Sequence, residues 1–393
     1  MLKVAQSRQD SYSLTAIELI ASINRQGLVH PKECAGVLVS LETSTVPAIA
    51  KIAFDTHKMI HSQFESMFER EYMRAIQEAF YYQRDVVGDS NGAHARPYVS
   101  KLAPLFDIVK ISNSRYQKKF LSNLCSKVNF DLKKLDANGD PPEHLLLARF
   151  ITQNLAFFDY AQLAELMPTI AQMERIVSST GTVVAHAIET DIFPSPIGPP
   201  MIETPAGMMG YTPTVPMPTP MPMSAAPLQQ FNRATLRLLA TAAASLSMLW
   251  EARTHLKRLY CIHSHSKDRD SKPAVKELNK PATKMPGISG DKFWEAITRN
   301  MSSLASEEAM LDKCREFSTL LAIDDEFKVD RDEDAEGDSV DVLGEDDGAS
   351  SAGPRAMKRK SSASGTGVNK RPKGRKGSVG KKPSSTEPDG GWD

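Results

Sequence analysis

The stretch at residues 81–92, YYQRDVVGDSNG, gathers an Arg–Asp pair, a second Asp, a Ser and two glycines behind two aromatics. Those types could make a nucleophile with its acid, or a loop that cradles phosphate. A phosphate cradle needs GxxxxGK[ST] running into a helix, and a serine nucleophile elbow needs GxSxG. Neither spacing occurs here. On an α-helix Arg84 and Asp85 would point about 100° apart, so they are not expected to face each other. Gly88, Asn91 and Gly92 suit positive-φ turn positions. The stretch therefore reads as a helix exit into an exposed loop.

His255, Cys261, His263 and His265 are metal-ligand types gathered at one helix end, with no second cluster to complete a four-ligand site. No catalytic, cofactor-binding or metal-ligating residue is predicted, and the chain is not expected to be an enzyme. The signal that remains is cationic. In NSRYQKKFLSNLCSKV (113–128) Phe120, Leu121 and Leu124 would face a core and turn Arg115, Lys118, Lys119 and Lys127 outward, with Lys133 and Lys134 shortly after. Such a face is either a solvated helix surface or a phosphate-backbone contact. Near the C-terminus, Lys358, Arg359 and Lys360 are separated by a short spacer from Lys370, Arg371, Lys373, Arg375 and Lys376. Two cationic clusters so spaced match a bipartite nuclear-import signal, against a plain solvated tail or non-specific DNA binding.

The elements that must position these residues are helical. Residues 1–190 read as successive short helices at 13–27, 30–44, 46–64, 65–87, 98–110, 113–128, 142–158 and 160–190. Thr45 is expected to cap the third, and Leu14, Ile17, Leu19 and Ile20 share a broad apolar face of the first. Antiparallel helices joined by tight loops point to an all-α, HEAT-repeat-like α-solenoid, with a generic helical bundle as the alternative. Residues 191–228 are a Pro/Met-rich insertion expected to be disordered. A long helix is expected at 229–263, packing on the solenoid, then a polar loop at 264–290 and a terminal helix at 291–323. Residues 324–393 read as a disordered tail, acidic and then basic.

The chain has 393 residues, and its formal net charge of zero is a cancellation between the tail segments. Its four cysteines stand far apart, which excludes a disulfide framework and fits a reducing compartment. The first residues hold no secretory h-region, and no run of about 18 apolar residues occurs, so neither secretion nor membrane spanning is expected.

GLVHPKECAGVLVSLETS, YYQRDVVGDSNG, KLAPLFDIVK, KKFLSNLCSKVNFD and RFITQNLAFFDY together resemble, over roughly residues 13–260, the C-terminal region of the Nipped-B-type sister chromatid cohesion proteins. These are the HEAT-repeat subunits that load cohesin. The resemblance implies a nuclear, non-enzymatic solenoid without a cofactor or small-molecule substrate. It would engage cohesin's SMC heads, its kleisin and double-stranded DNA on chromatin, and stimulate ATP hydrolysis by its partner. It also implies that Arg115, Lys118 and Lys119 lie against DNA phosphate or an acidic partner, and that Arg84, Asp85 and Asp89 form a partner-contact loop. Family members are far longer, so the chain is expected to be a C-terminal piece. The region that binds the small tetratricopeptide partner subunit is expected to be missing from it. The competing expectation is a generic HEAT-repeat nuclear scaffold or adaptor without loader activity.

Overall fold

Asp10 starts the first long helix by accepting hydrogen bonds from the backbone N–H groups of Tyr12 and Ser13, which satisfies donors that a helix start leaves open. That helix, α2 (Ser11–Arg25), follows a short α1 (Leu2–Ser7) and ends before Gly27, whose φ of +68° only glycine adopts without strain. Ile17 and Ile20 of α2 are buried, but Leu19 is not. The expected face was drawn too wide, because only a stripe at helical spacing reaches the neighbouring helix. The chain then runs through α3 (Pro31–Glu42) into α4 (Pro47–Tyr82). The helices expected at 46–64 and 65–87 are thus one element, bent where Phe64 leaves helical geometry (φ −134°, ψ 41°). Thr45 does not cap it. Its hydroxyl is turned to the Gln9 side chain, and Val46 holds the cap position without a side-chain bond.

The computed structural model describes residues 1–194, 232–262 and 280–332, with side chains through residue 322. After α4 a π-type turn (Gln83–Val87) ends at Gly88 (φ +77°). A small antiparallel hairpin of β1 (Ala93–His94) and β2 (Val99–Ser100) follows. It occupies the start of the helix expected at 98–110, which begins only at α5 (Ala103–Val109). The chain continues with α6 (Ser114–Ser126), a single 3-10 turn (Leu132–Lys134), α7 (Glu143–Phe157) and α8 (Leu163–Asp191).

Beyond them α9 (Arg233–Leu259) packs against α7 and α8 and against two further helices, α10 (Asp291–Ser302) and α11 (Glu307–Asp332). Contact on every side explains its composition. Ala240 through Leu249 are all buried, and small residues let four neighbours approach. The buried Thr241 and Ser245 hydroxyls bond carbonyls one turn back, at Arg237 (2.7 Å) and Thr241 (2.9 Å). The single helix expected at 291–323 is instead the pair α10 and α11. Ser306 restarts the chain by accepting from Ala309 N–H. One apolar cluster draws residues from α1 through α11. The described chain is an all-α solenoid, and none of its helices is long and apolar enough to cross a membrane. Residues 195–228 of the Pro/Met-rich insertion, 229–231 and 263 of the long helix expected at 229–263, 264–279 of the polar loop and 333–393 of the tail lie outside the described residues. So do all eight residues of the nuclear-import signal.

Candidate DNA and partner interface

Asn113 caps α6 by accepting from Tyr116 N–H at 2.8 Å, and the helix presents two opposite faces. Gln117, Phe120, Leu121, Leu124 and Cys125 are buried. Arg115, Lys118 and Lys119 are exposed on the other side, at i, i+3 and i+4, and so form one stripe. Ser122 and Ser126 continue it at the same spacing. Among the described residues none of the three cations takes part in an ion pair. Lys119 does lie close enough to oppose the upward push that burial and Glu65 give the Glu69 carboxyl. The remaining predicted cations are not part of this stripe's first turns. Lys127 follows the C-terminal end of α6, about 18 Å from Arg115 along the axis. Lys133 and Lys134 are exposed on the 3-10 turn, where Lys134 pairs with Asp131 at 3.5 Å.

The 81–92 stretch has a different character from the one its residue types suggest. Arg84 does pair with its neighbour. Its Nε and Nη2 donate to the Asp85 carboxylate at 2.6 and 2.9 Å, and Nη1 donates to Glu143 at 2.8 Å. The widened turn at 83–87 and a guanidinium that folds back over Tyr81 (5.0 Å) permit what a regular helix would not. These contacts hold Arg84 charged. Asp89 accepts from Lys101 Nζ at 2.8 Å, and the same ammonium donates to Gln83 Oε1 at 2.6 Å and to the Asp89 carbonyl at 3.0 Å. Burial pushes the Asp89 carboxyl up, but the bonds from Lys101 and Asn91 outweigh it and leave the group below its ordinary range. Burial likewise lowers Lys101. Ser90 bonds Arg149, and Gly92 N–H donates to Gln153 Oε1 at 2.7 Å. A side chain on Gly92 would meet the Phe150 carbonyl at 1.9 Å. Arg84, Ser90 and Gly92 thus fasten the exit of α4 to α7, Asp89 ties it to Lys101, and the carboxylates of Asp85 and Asp89 remain about half exposed.

A buried polar chain went unread in the sequence. Glu42 of α3 meets His57 Nδ1 at 2.5 Å, His57 Nε2 meets the Tyr72 hydroxyl at 2.9 Å, that hydroxyl meets His61 Nδ1 at 2.8 Å, and His61 Nε2 meets Ser112 at 3.1 Å. It joins α3, both arms of the bent α4 and the loop between α5 and α6. Burial and the neighbouring His57 lower His61, and burial raises Tyr72. His57 and His61 stand one helical turn apart, which was the available signal, but their partners come from distant segments. Of the residues that suggested a metal, His255 is buried against Phe293 and Phe157. Cys261 is exposed, and His263 and His265 lie outside the described residues. Among the described residues no cluster could hold a metal ion.

The family described as sister chromatid cohesion C-terminus matches residues 1–176, a span that contains α6 and the whole 81–92 buckle. The chain superposes on a C-terminal fragment of the Chaetomium thermophilum cohesin loader SCC2 with a TM-score of 0.64 and 36% identity, over 82% of this chain and 20% of that one. Over residues 1–176 the chain matches a Nipped-B-type C-terminal region. It is 22% identical to the sister chromatid cohesion protein mis4 of Schizosaccharomyces pombe over 45% of its own length and 11% of that protein. It is 23% identical to the Nipped-B-like protein A of Danio rerio over 49% of its length and 8% of that protein. The chain therefore spans a small part of the relatives it matches. The Nipped-B-type match includes the capped, cation-bearing α6.

Proposed function

We propose that this chain is the part of a cohesin loader that helps place cohesin on chromatin by binding, without catalysing a reaction itself. In this reading the solenoid offers shaped surfaces to SMC heads and kleisin, stimulates the partner's ATPase, and holds DNA against α6. The observation that carries it is the α6 stripe of Arg115, Lys118 and Lys119. Three exposed cations share one helix face without ion pairs among the described residues, an arrangement suited to phosphates spaced along a duplex. A binding role also fits the 81–92 loop, whose Asp85, Asp89 and Ser90 are engaged by Arg84, Lys101 and Arg149 rather than arrayed around a cleft. Action in the nucleus follows from the same reading.

The test is charge reversal. Lys118→Glu with Lys119→Glu, placed in the full-length loader, is expected to lower DNA-stimulated cohesin ATPase while leaving the unfolding midpoint in urea unchanged, since both side chains are exposed. Undiminished stimulation removes α6 from the mechanism. A chain that also fails to capture SMC heads and kleisin in pull-downs is a scaffold without loader activity.

A further inference from the structure

The buried chain Glu42–His57–Tyr72–His61–Ser112 holds four hydrogen bonds in series, and each needs one proton between its two heavy atoms. Two proton arrangements satisfy all four. In the first, Ser112 donates to His61 Nε2, His61 Nδ1–H to Tyr72, Tyr72 to His57 Nε2, and His57 Nδ1–H to the Glu42 carboxylate. Every donor points toward Glu42. Its other oxygen, Oε2, is buried without a partner, so the chain carries a poorly compensated negative charge. The second arrangement has one proton more. His57 donates from both ring nitrogens, Tyr72 donates to His61 Nδ1, and His61 Nε2–H donates to Ser112. The net charge is then zero, and His61 has changed tautomer while staying neutral. Should the added proton rest on Glu42 instead of His57, the bonds from Tyr72 to Ser112 are the same.

The series also gives the proton a route. The Glu42 and His57 side chains are 1% and 0% exposed, whereas Ser112 follows Ile111, which is 65% exposed. A proton taken up by the Ser112 hydroxyl releases that group's own proton to His61 Nε2. His61 Nδ1–H then passes to Tyr72, and the Tyr72 proton passes to His57 Nε2. Each group gives one proton and receives one, so the charge crosses without any side chain moving far. The surroundings suit the task. Burial, then Tyr116, Glu42, Glu69 and Glu65, raise Tyr72, so its hydroxyl relays without ionising. Burial, then His57, lower His61 against the pull of Glu65, which keeps that ring a neutral carrier. The other titratable groups that face the chain are thus Glu65 and Glu69 of α4 and Tyr116 of α6. Phe68 stacks on His57 at 5.1 Å, and Phe120 of α6 meets Tyr72 edge-on at 6.1 Å. At the open end the Ser112 carbonyl accepts from Gln117 Nε2 at 2.8 Å, and its neighbour Asn113 caps α6.

We propose that this chain is a proton wire, linking proton uptake by the Glu42–His57 pair to the hydrogen bonding of Ser112 at the entry of α6, with His61 changing tautomer at each proton gained or lost. It is a pH-sensitive device spanning the bend of α4, and it is independent of whether α6 binds DNA.

The experiment follows the full chain, isotope-labelled at its histidine nitrogens, by NMR across the pH range in which it stays folded. Nitrogen shifts separate the two neutral tautomers from each other and from the imidazolium. As pH falls, the His57 ring is expected to change and His61 to go from Nδ1–H to Nε2–H, with one shared midpoint. A single His61 tautomer throughout, or two separate midpoints, overturns the proposal without recourse to any variant. Glu42→Gln is expected to lose the step at both rings, because the buried negative charge that draws the proton is gone. Tyr72→Phe is expected to keep the change at His57 and lose the one at His61. A step retained in folded Glu42→Gln overturns the proposal, as does a His61 that still follows His57 in folded Tyr72→Phe.

Discussion

At the residue scale, Lys101 shows how much one buried charge organises. Its ammonium holds Gln83 and both oxygen types of Asp89, and Gln83 in turn donates to the Thr43 carbonyl and hydroxyl at 2.7 and 2.9 Å. Lys101→Met keeps the stem volume but leaves the Gln83 oxygen buried without a donor. The expected cost is about 2 kcal/mol, read as a lower urea midpoint. An unchanged midpoint would deny the ammonium this role. His255 gives a pH prediction with a definite sign. Burial, then Arg258, lower it from 6.5 to about 4 in the fold, so the unfolded chain binds the extra proton first. Its contribution is complete above pH 6.5 and declines as pH falls toward 4, by up to about 3 kcal/mol. His61 is lowered too and adds in the same direction. His255→Phe is expected to flatten part of the acid-side fall in urea stability, leaving the remainder to His61 and its like. An acid profile identical to that of the unmodified chain would contradict the assignment.

At the scale of elements, the junction of α8 with α11 depends on Gly181. A Cβ there would lie 3.1–3.3 Å from Leu321 and Phe317, tighter than packed side chains accept without moving. Gly181→Leu is expected to lift α11 from α8 and to speed amide exchange across 307–322, while exchange in α3 and α4 stays as before. Slow exchange retained in α11 would mean that the helices can repack around the larger residue. The helical pattern was legible here because apolar residues recur at helical spacing, and α6 and α7 start within a residue of the positions expected. What was not legible were the joins. Fusion of two helices into the bent α4 depends on Phe64, an ordinary residue whose backbone is set by packing on either side. The split between α10 and α11 depends on a serine cap, and the hairpin before α5 on contacts with α7.

At the scale of the molecule, the question is whether the α6 stripe acts as one electrostatic surface. If Arg115, Lys118 and Lys119 each neutralise one phosphate, replacing all three with Gln should reduce the slope of log affinity against log salt by about 2.7 for duplex DNA. The measurement is fluorescence anisotropy across a salt series. A slope that does not change places the DNA elsewhere on the chain, whatever the affinity does. Lys127, Lys133 and Lys134 sit beyond the far end of α6, so replacing them tests a separate patch. The order of segments along the chain pointed to the family before any coordinates, and the comparison with SCC2 extends that likeness to the fold.

Local spacing was enough to show that the chain is helical and that the cations of α6 lie opposite its apolar face, because both depend on neighbours within a turn or two. Tertiary structure alone decided what the polar residues do. Whether Asp89 faces a partner or Lys101, and whether His57 and His61 join Glu42 and Tyr72, depends on segments brought together by a shared apolar core. Hydrogen bonds across such distances leave no period in the sequence. The YYQRDVVGDSNG stretch shows both halves of this: its glycines announced a turn, and only the fold revealed that Arg84, Asp89 and Ser90 are fasteners.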